Sequence, residues 1–233
     1  MTFILVHGGA HGAWCWERMS PHLVGAVVAL DLPGRGSRPA SLEAITVDDW
    51  VDAVVEAISM IAADRVVLVG HSLAGMVLPR VAERVSEKLE RMIFISCSVP
   101  SEGQAVIDIL SPQIRPLAEQ QRRNRVASVL PEETARSMFC NDMNPEQTRF
   151  VLDRLVPEAW TPILEPSRLA GLARGVPATY VKLLRDAVIP PALQDEMIAH
   201  LGTVEVAELD AGHDAMISAP EALAALINDL SGR

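Results

Sequence analysis

The sequence predicts an α/β protein, with a mostly parallel six-stranded sheet, helices on both faces and a small helical cap. Three observations carry that prediction. Apolar runs at 2–6, 27–30, 65–69, 91–96, 177–183 and 203–208 alternate with helical patterns. Strands buried on both faces of a parallel sheet read as continuous apolar runs, as most of these do. The interval 100–166 breaks the alternation and offers no strand.

The first run, Thr2 to Val6, leads into His7-Gly8-Gly9-Ala10-His11-Gly12-Ala13-Trp14. Glycines just after a buried strand leave backbone N–H groups free to face a ligand. The second run ends in Asp31-Leu32-Pro33-Gly34-Arg35-Gly36, where Asp31 reads as a turn and loop anchor. Over 48–61, Trp50, Val51, Val54, Val55, Ile58 and Ile61 recur at helical spacing. The third run closes in Gly70-His71-Ser72-Leu73-Ala74-Gly75, which reads as strand, sharp turn and helix with Ser72 at the apex. Such an elbow is tolerated only if the residues two before and two after the serine are small. Gly70 and Ala74 meet that condition, and Gly75 is expected to take some of the conformational load that Ala74 cannot. Pro79 is expected to kink the following helix or remove one of its hydrogen bonds.

In the strandless interval prolines recur and Gly103 is the sole glycine. Helical pieces near 113–127, 131–139 and 145–155 fit it best. Inserted after the strand ending near Ser96, they would lie over the strands' carboxyl face. The expected organisation is therefore a core of 1–99 and 167–233 with a cap over 100–166. Met138, Phe139, Phe150, Leu155 and Trp160 either line a pocket there or pack cap on core. The fifth run, Ala178 to Leu184, leads to Asp186 and a proline-started helix. The last leads to Asp210-Ala211-Gly212-His213-Asp214.

A serine hydroxyl is a poor nucleophile at neutral pH unless it is exposed beside a base and near backbone donors. His213, beside a glycine on a loop after a late strand, can swing over Ser72, and Asp186 supplies the acid. Leu73 and most simply Gly9 would supply two oxyanion N–H groups, each worth about 10²–10³ in rate. All of these fall at strand carboxyl ends, where ligands bind in open α/β sheets. Other histidines compete less well. His22 and His200 sit in amphipathic stretches, His7 is placed to bond its own loop, and His71 should point away from the serine. His11 is open between lining the pocket and holding its loop. Asp210 and Asp214 lie too near His213 in sequence to orient it.

At 233 residues the chain fits one large α/β domain with an elaboration. No apolar run approaches the ~18–20 residues needed to span a membrane, and no secretory signal is visible. Cys15, Cys97 and Cys140 are odd in number, lack metal-type spacing and read as reduced small hydrophobes, which favours the cytoplasm. A net charge of −10 argues against nucleic-acid binding. Gly8-Gly9 and Gly34-Arg35-Gly36 are not dinucleotide fingerprints, so neither cofactor nor metal is expected. The expected partner is a small-molecule ester, with a homodimer left open.

The motifs around Val6–Trp16 and Gly70–Gly75, with Asp186 and Gly212-His213-Asp214-Ala215-Met216, resemble the α/β-hydrolase superfamily. They are most similar to its methylesterase and hydroxynitrile-lyase branch with bacterial relatives. The resemblance covers nearly the whole chain, most weakly across the cap. It implies a Ser72–His213–Asp186 triad, in the Ser, Asp, His chain order of that superfamily, and an oxyanion hole of the Gly9 and Leu73 amides. Lyases of the branch carry a threonine hydroxyl in the oxyanion loop and a lysine after the catalytic histidine. Here Gly9 has no side chain and Asp214 is acidic, so the expectation is a serine hydrolase cleaving a small carboxylic ester, lactone or thioester. A lyase using the same triad and a non-catalytic binder on this fold are the alternatives.

Overall fold

The computed structural model describes residues 1–110, 114–124, 127 and 129–232. Its strands are β1 (Thr2–Val6), β2 (Ala26–Leu30), β3 (Val66–His71), β4 (Leu89–Ile95), β5 (Ala178–Leu183) and β6 (Glu205–Leu209). They form one sheet in the order β2-β1-β3-β4-β5-β6, every neighbouring pair parallel. Each expected run became a strand, with ends shifted by a residue or two. β1 and β3 are buried along their whole length, whereas the edge strands β2 and β6 are partly exposed. That difference explains why the central runs are unbroken and the edge run at 205–209 carries glutamates.

The helices are α1 (Val47–Ser59), α2 (Leu78–Val85), α3 (Val106–Ile109), α4 (Arg115–Asn124), α5 (Glu132–Phe139), α6 (Pro145–Leu152), α7 (Pro191–Leu201), α8 (Ala215–Ser218) and α9 (Pro220–Ser231). Successive strand residues point to opposite faces and so feed two cores. Ile4, Val6, Leu68, Phe94 and Tyr180 pack with α1, α2 and α7 on one side. Phe3, Leu5, Val69, Ile95 and Val181 pack with Trp16, Met19, α8 and α9 on the other. Helix α1 starts at a reciprocal cap: Asp49 N–H donates to Thr46 Oγ1 at 3.2 Å, and Thr46 N–H donates to Asp49 Oδ2 at 2.8 Å.

Within 100–166, α4, α5 and α6 answer to the three expected helical pieces; residues 113, 125 and 126 of the first lie outside the described residues. The short α3 was not anticipated. Val106, Ala118 and Ile163 join one core, while Ala135, Phe139 and Val151 join the other, so the insertion packs onto both.

Two expectations about the elbow are corrected. Pro79 is the second residue of α2, where the missing N–H has no helical acceptor to lose, and it neither kinks nor weakens the helix. The left-handed backbone sits on Ser72 itself, at φ 53°, rather than on Gly75. Gly75 is needed for a different reason: a Cβ there would meet the Ser98 carbonyl oxygen at 2.2 Å.

Register then assembles the site. Val6 pairs with Gly70, which brings the loop after β1 beside Ser72. The chain leaves β1 toward β2 and returns to place β3 on β1's other side, so these two loops diverge and open a crevice at their carboxyl ends.

Candidate active site

His213 Nε2 lies 3.0 Å from Ser72 Oγ, and His213 Nδ1 lies 2.6 Å from Asp186 Oδ2. With Nδ1–H donating to the carboxylate, Nε2 is left as the acceptor for the serine hydroxyl. Asp186 is tightly held. Its Oδ1 accepts the Val188 and Ile189 N–H groups at 2.7 and 2.8 Å, and Oδ2 also accepts from Ser96 Oγ at 2.6 Å. Burial works against its charge, but the imidazole of His213 and these donors outweigh it and hold its pKa below the ordinary 3.8. Gln194 fixes the same loop from α7, accepting from Leu183 N–H and donating to the Leu183 and Ile189 carbonyls.

Among the described residues, three non-glycines adopt positive φ: Ala10 at 58°, Ser72 at 53° and Ser96 at 38°. All three border this constellation, so backbone strain is concentrated where the chemistry would be. Close approach also matters, since a Cβ on Gly8 would meet Ser72 Cβ at 2.7 Å. Leu73 is the second residue of the 3-10 turn Ser72–Met76, so its N–H belongs to a first turn without intrahelical acceptors. Gly9 and Leu73 both border the cavity that contains Ser72.

The competing residues have other partners. His7 Nε2 accepts the Leu32 N–H at 3.2 Å and Nδ1 donates to the Gly8 carbonyl at 2.8 Å; burial lowers its pKa to about 3. His71 donates to the His213 carbonyl at 3.0 Å and is likewise lowered to about 3 by burial. His200 bonds the Val99 carbonyl, and His22 is exposed. Asp31 anchors its loop as expected, accepting from the Ala13 and Ser37 N–H groups at 2.8 and 2.9 Å. Cys15, Cys97 and Cys140 are free and buried.

Met138 and Phe139 line the cavity, but His11, Phe150, Leu155 and Trp160 do not. His11 is drawn away by a buried ion pair, its Nε2 2.9 Å from Asp214 Oδ2 and its Nδ1 2.7 Å from the Gly9 carbonyl. Phe150 packs edge-on to Trp14 and under the guanidinium groups of Arg18 and Arg154. Leu155 faces a separate groove between α5 and α6. Past Glu158, the lining is supplied by Ile163 rather than Trp160. Three residues escaped sequence reasoning: Ser96, Arg35 and Glu158. Each acts through a partner far away in the chain, and only a register of β4 or a fold of 100–166 could have revealed them.

The His11–Asp214 pair makes a pH prediction. Burial opposes charge on His11, yet Asp214 and the Gly9 carbonyl more than offset it and raise its pKa above 6.5. Burial also opposes charge on Asp214, yet His11 outweighs it and lowers the pKa below 3.8. His11 therefore contributes stability fully below 6.5, lost as pH rises through its raised value; Asp214 contributes above 3.8, lost as pH falls through its lowered value. Replacing His11 by glutamine should cost about 3–5 kcal/mol, the range for breaking a buried pair. The gap in Tm should be widest between 3.8 and 6.5 and shrink on both sides. A gap that stays constant across the pH range would exclude this pair as its source.

A parallel sheet with a serine, an imidazole and a carboxylate gathered at its carboxyl edge defines a class, the α/β hydrolases with a serine at the strand–helix turn. The chain belongs to the alpha/beta hydrolase family, whose model matches residues 3–226. Methylesterase 17 of Arabidopsis thaliana is 26% identical over 248 residues, covering 97% of this chain and 89% of its own. A carbendazim hydrolyzing esterase of Nocardioides sp. (strain SG-4G) is 28% identical over 239 residues, covering 96% of each. Among solved structures, an extracellular alpha/beta-hydrolase from a Paenibacillus species superposes with a TM-score of 0.90 at 25% identity, covering 98% of each chain. That protein is described as sharing structural and functional homology with tobacco salicylic acid binding protein 2. No helix among the described residues is long and apolar enough to cross a membrane.

Proposed function

We propose that this protein is a serine esterase that cleaves a small carboxylic ester, lactone or thioester through an acyl-enzyme on Ser72. The observation that carries the proposal is the unbroken relay from Ser72 Oγ to His213 at 3.0 Å and from His213 to Asp186 at 2.6 Å. His213 Nε2 takes the hydroxyl proton as Ser72 Oγ attacks the carbonyl carbon. Asp186 keeps the proton on Nδ1 and stabilises the imidazolium that forms. The Gly9 and Leu73 amides hold the oxyanion. The alcohol then leaves with the proton from His213, and water repeats the sequence to free the acid. The esterases among the relatives support the same reaction class.

Residues 100–166 serve in this reading as a helical cap. Support comes from Val106, Leu110, Met138, Phe139 and Ile163, which cover the cavity above Ser72. The three free, buried cysteines support a cytoplasmic setting. A lyase role lacks its cation, since Asp214 follows His213 and is committed to His11. The test is p-nitrophenyl acetate in the stopped-flow. A nitrophenolate burst stoichiometric with protein, followed by steady turnover, is expected. Cyanohydrin cleavage without any ester turnover would reject the esterase reading.

A further inference from the structure

The cavity beside Ser72 is small, about 130 Å³, and apolar along Val106, Leu110, Met138, Phe139 and Ile163. That is below the ~300–1,000 Å³ of drug-sized sites, so the group it holds is compact. Among the described residues one charged side chain, Glu158, also lines it. Glu158 Oε1 accepts the Ala159 N–H at 2.7 Å and the guanidinium of Arg35; Oε2 accepts the Ala10 N–H at 2.6 Å. A carboxylate offers about four lone-pair sites, so one on Oε2 remains. Oε2 is also the atom that a Cβ on Gly9 would approach to 2.9 Å, which sets it against the oxyanion loop.

A bare carboxylate there would repel the developing oxyanion. Arg35, whose side chain is 1% exposed, sits behind Glu158 and balances it. What the cavity meets is an oriented acceptor with its charge compensated. We propose that Glu158 is a specificity-determining residue, and that the preferred acyl groups are compact and carry an O–H or N–H donor beside the scissile carbonyl, as α-hydroxy esters do. This rests on the esterase reading above. An acyl group ending in its own carboxylate would meet Oε2 acceptor to acceptor and is disfavoured.

Methyl lactate and methyl propanoate form a matched pair, differing in the α-hydroxyl. Released acid is titrated, and each kcat/KM is divided by the ester's own hydroxide rate. The wild type should prefer lactate by about ten- to a hundredfold, the range for a hydrogen bond to a charged group. Glu158→Gln should lower lactate more than propanoate and bring that preference to within about threefold of unity, since the amide cannot serve Arg35, Ala10 and the substrate with one oxygen. A Glu158 that only braces the strained Ala10 loop would lower both esters together with the preference intact, and that result overturns the proposal. Should the variant fail to fold, a normalised wild-type ratio of one overturns it without the variant. A ratio of one with a normal p-nitrophenyl acetate burst defeats this inference alone; no turnover of any ester defeats the esterase reading beneath it.

Discussion

Replacing Ser72 by alanine should lower kcat on p-nitrophenyl acetate by about 10⁶, with the burst lost outright, because no atom remains to carry the acyl group. The substitution removes one hydroxyl whose described hydrogen bond is the 3.0 Å contact with His213, so the fold should survive. Alanine also inherits the positive φ of 53° at this turn, and the strain there stays of the same kind. Residual catalysis of about 10³–10⁴ over water is expected from the oxyanion donors and binding. A fluorophosphonate probe reads the same atom independently, labelling the wild type and leaving the variant untouched. Equal labelling of both, or turnover within tenfold of wild type, would remove Ser72 from the reaction.

Asp186→Asn should lower kcat by about 10⁴ with only a small change in KM. Asp186 accepts four hydrogen bonds with two oxygens, from Val188 and Ile189 N–H, Ser96 Oγ and His213 Nδ1. Asparagine has one oxygen, and the two backbone donors hold it. Its NH₂ then faces His213 Nδ1 and donates to it, which moves the ring proton to Nε2. An imidazole with Nε2–H cannot take the proton of Ser72. The defect is thus one of tautomer rather than geometry, and it should appear in the acylation rate of a single-turnover experiment. A loss below tenfold would assign the orienting role elsewhere.

Much of this architecture is written locally. Ser72 was legible because an elbow demands small neighbours within two residues, and Gly70 and Ala74 stand in the same few letters. The strands of β1 and β3 were legible because burial on both faces leaves no room for polar letters. His213 and Asp186 were legible as residue types at strand ends, although their 2.6 Å contact depends on β5 and β6 pairing Leu183 with Leu209. The pocket was read less well. A stripe of aromatic and sulfur-bearing side chains in 100–166 carries no mark of which side faces Ser72; Met138 and Phe139 turned in, and Phe150 turned out toward Trp14. The Pro79 expectation failed for a related reason, because a helix boundary one residue away converts a breaker into a starter.

By itself, the order of residues determined the parallel sheet and marked Ser72, Asp186 and His213 as the residues proposed for the chemistry, since each depends on side-chain chemistry repeated or spaced over a few positions. Only tertiary structure decided that Arg35 and Glu158 meet beside the loop after β1, that Ser96 braces Asp186, and that His11 is held by Asp214 outside the cavity lining. Those contacts join segments far apart in the chain. Their energy comes from Coulomb attraction and hydrogen bonds that offset the cost of taking both partners out of water, and no single stretch of sequence contains both members of such a pair.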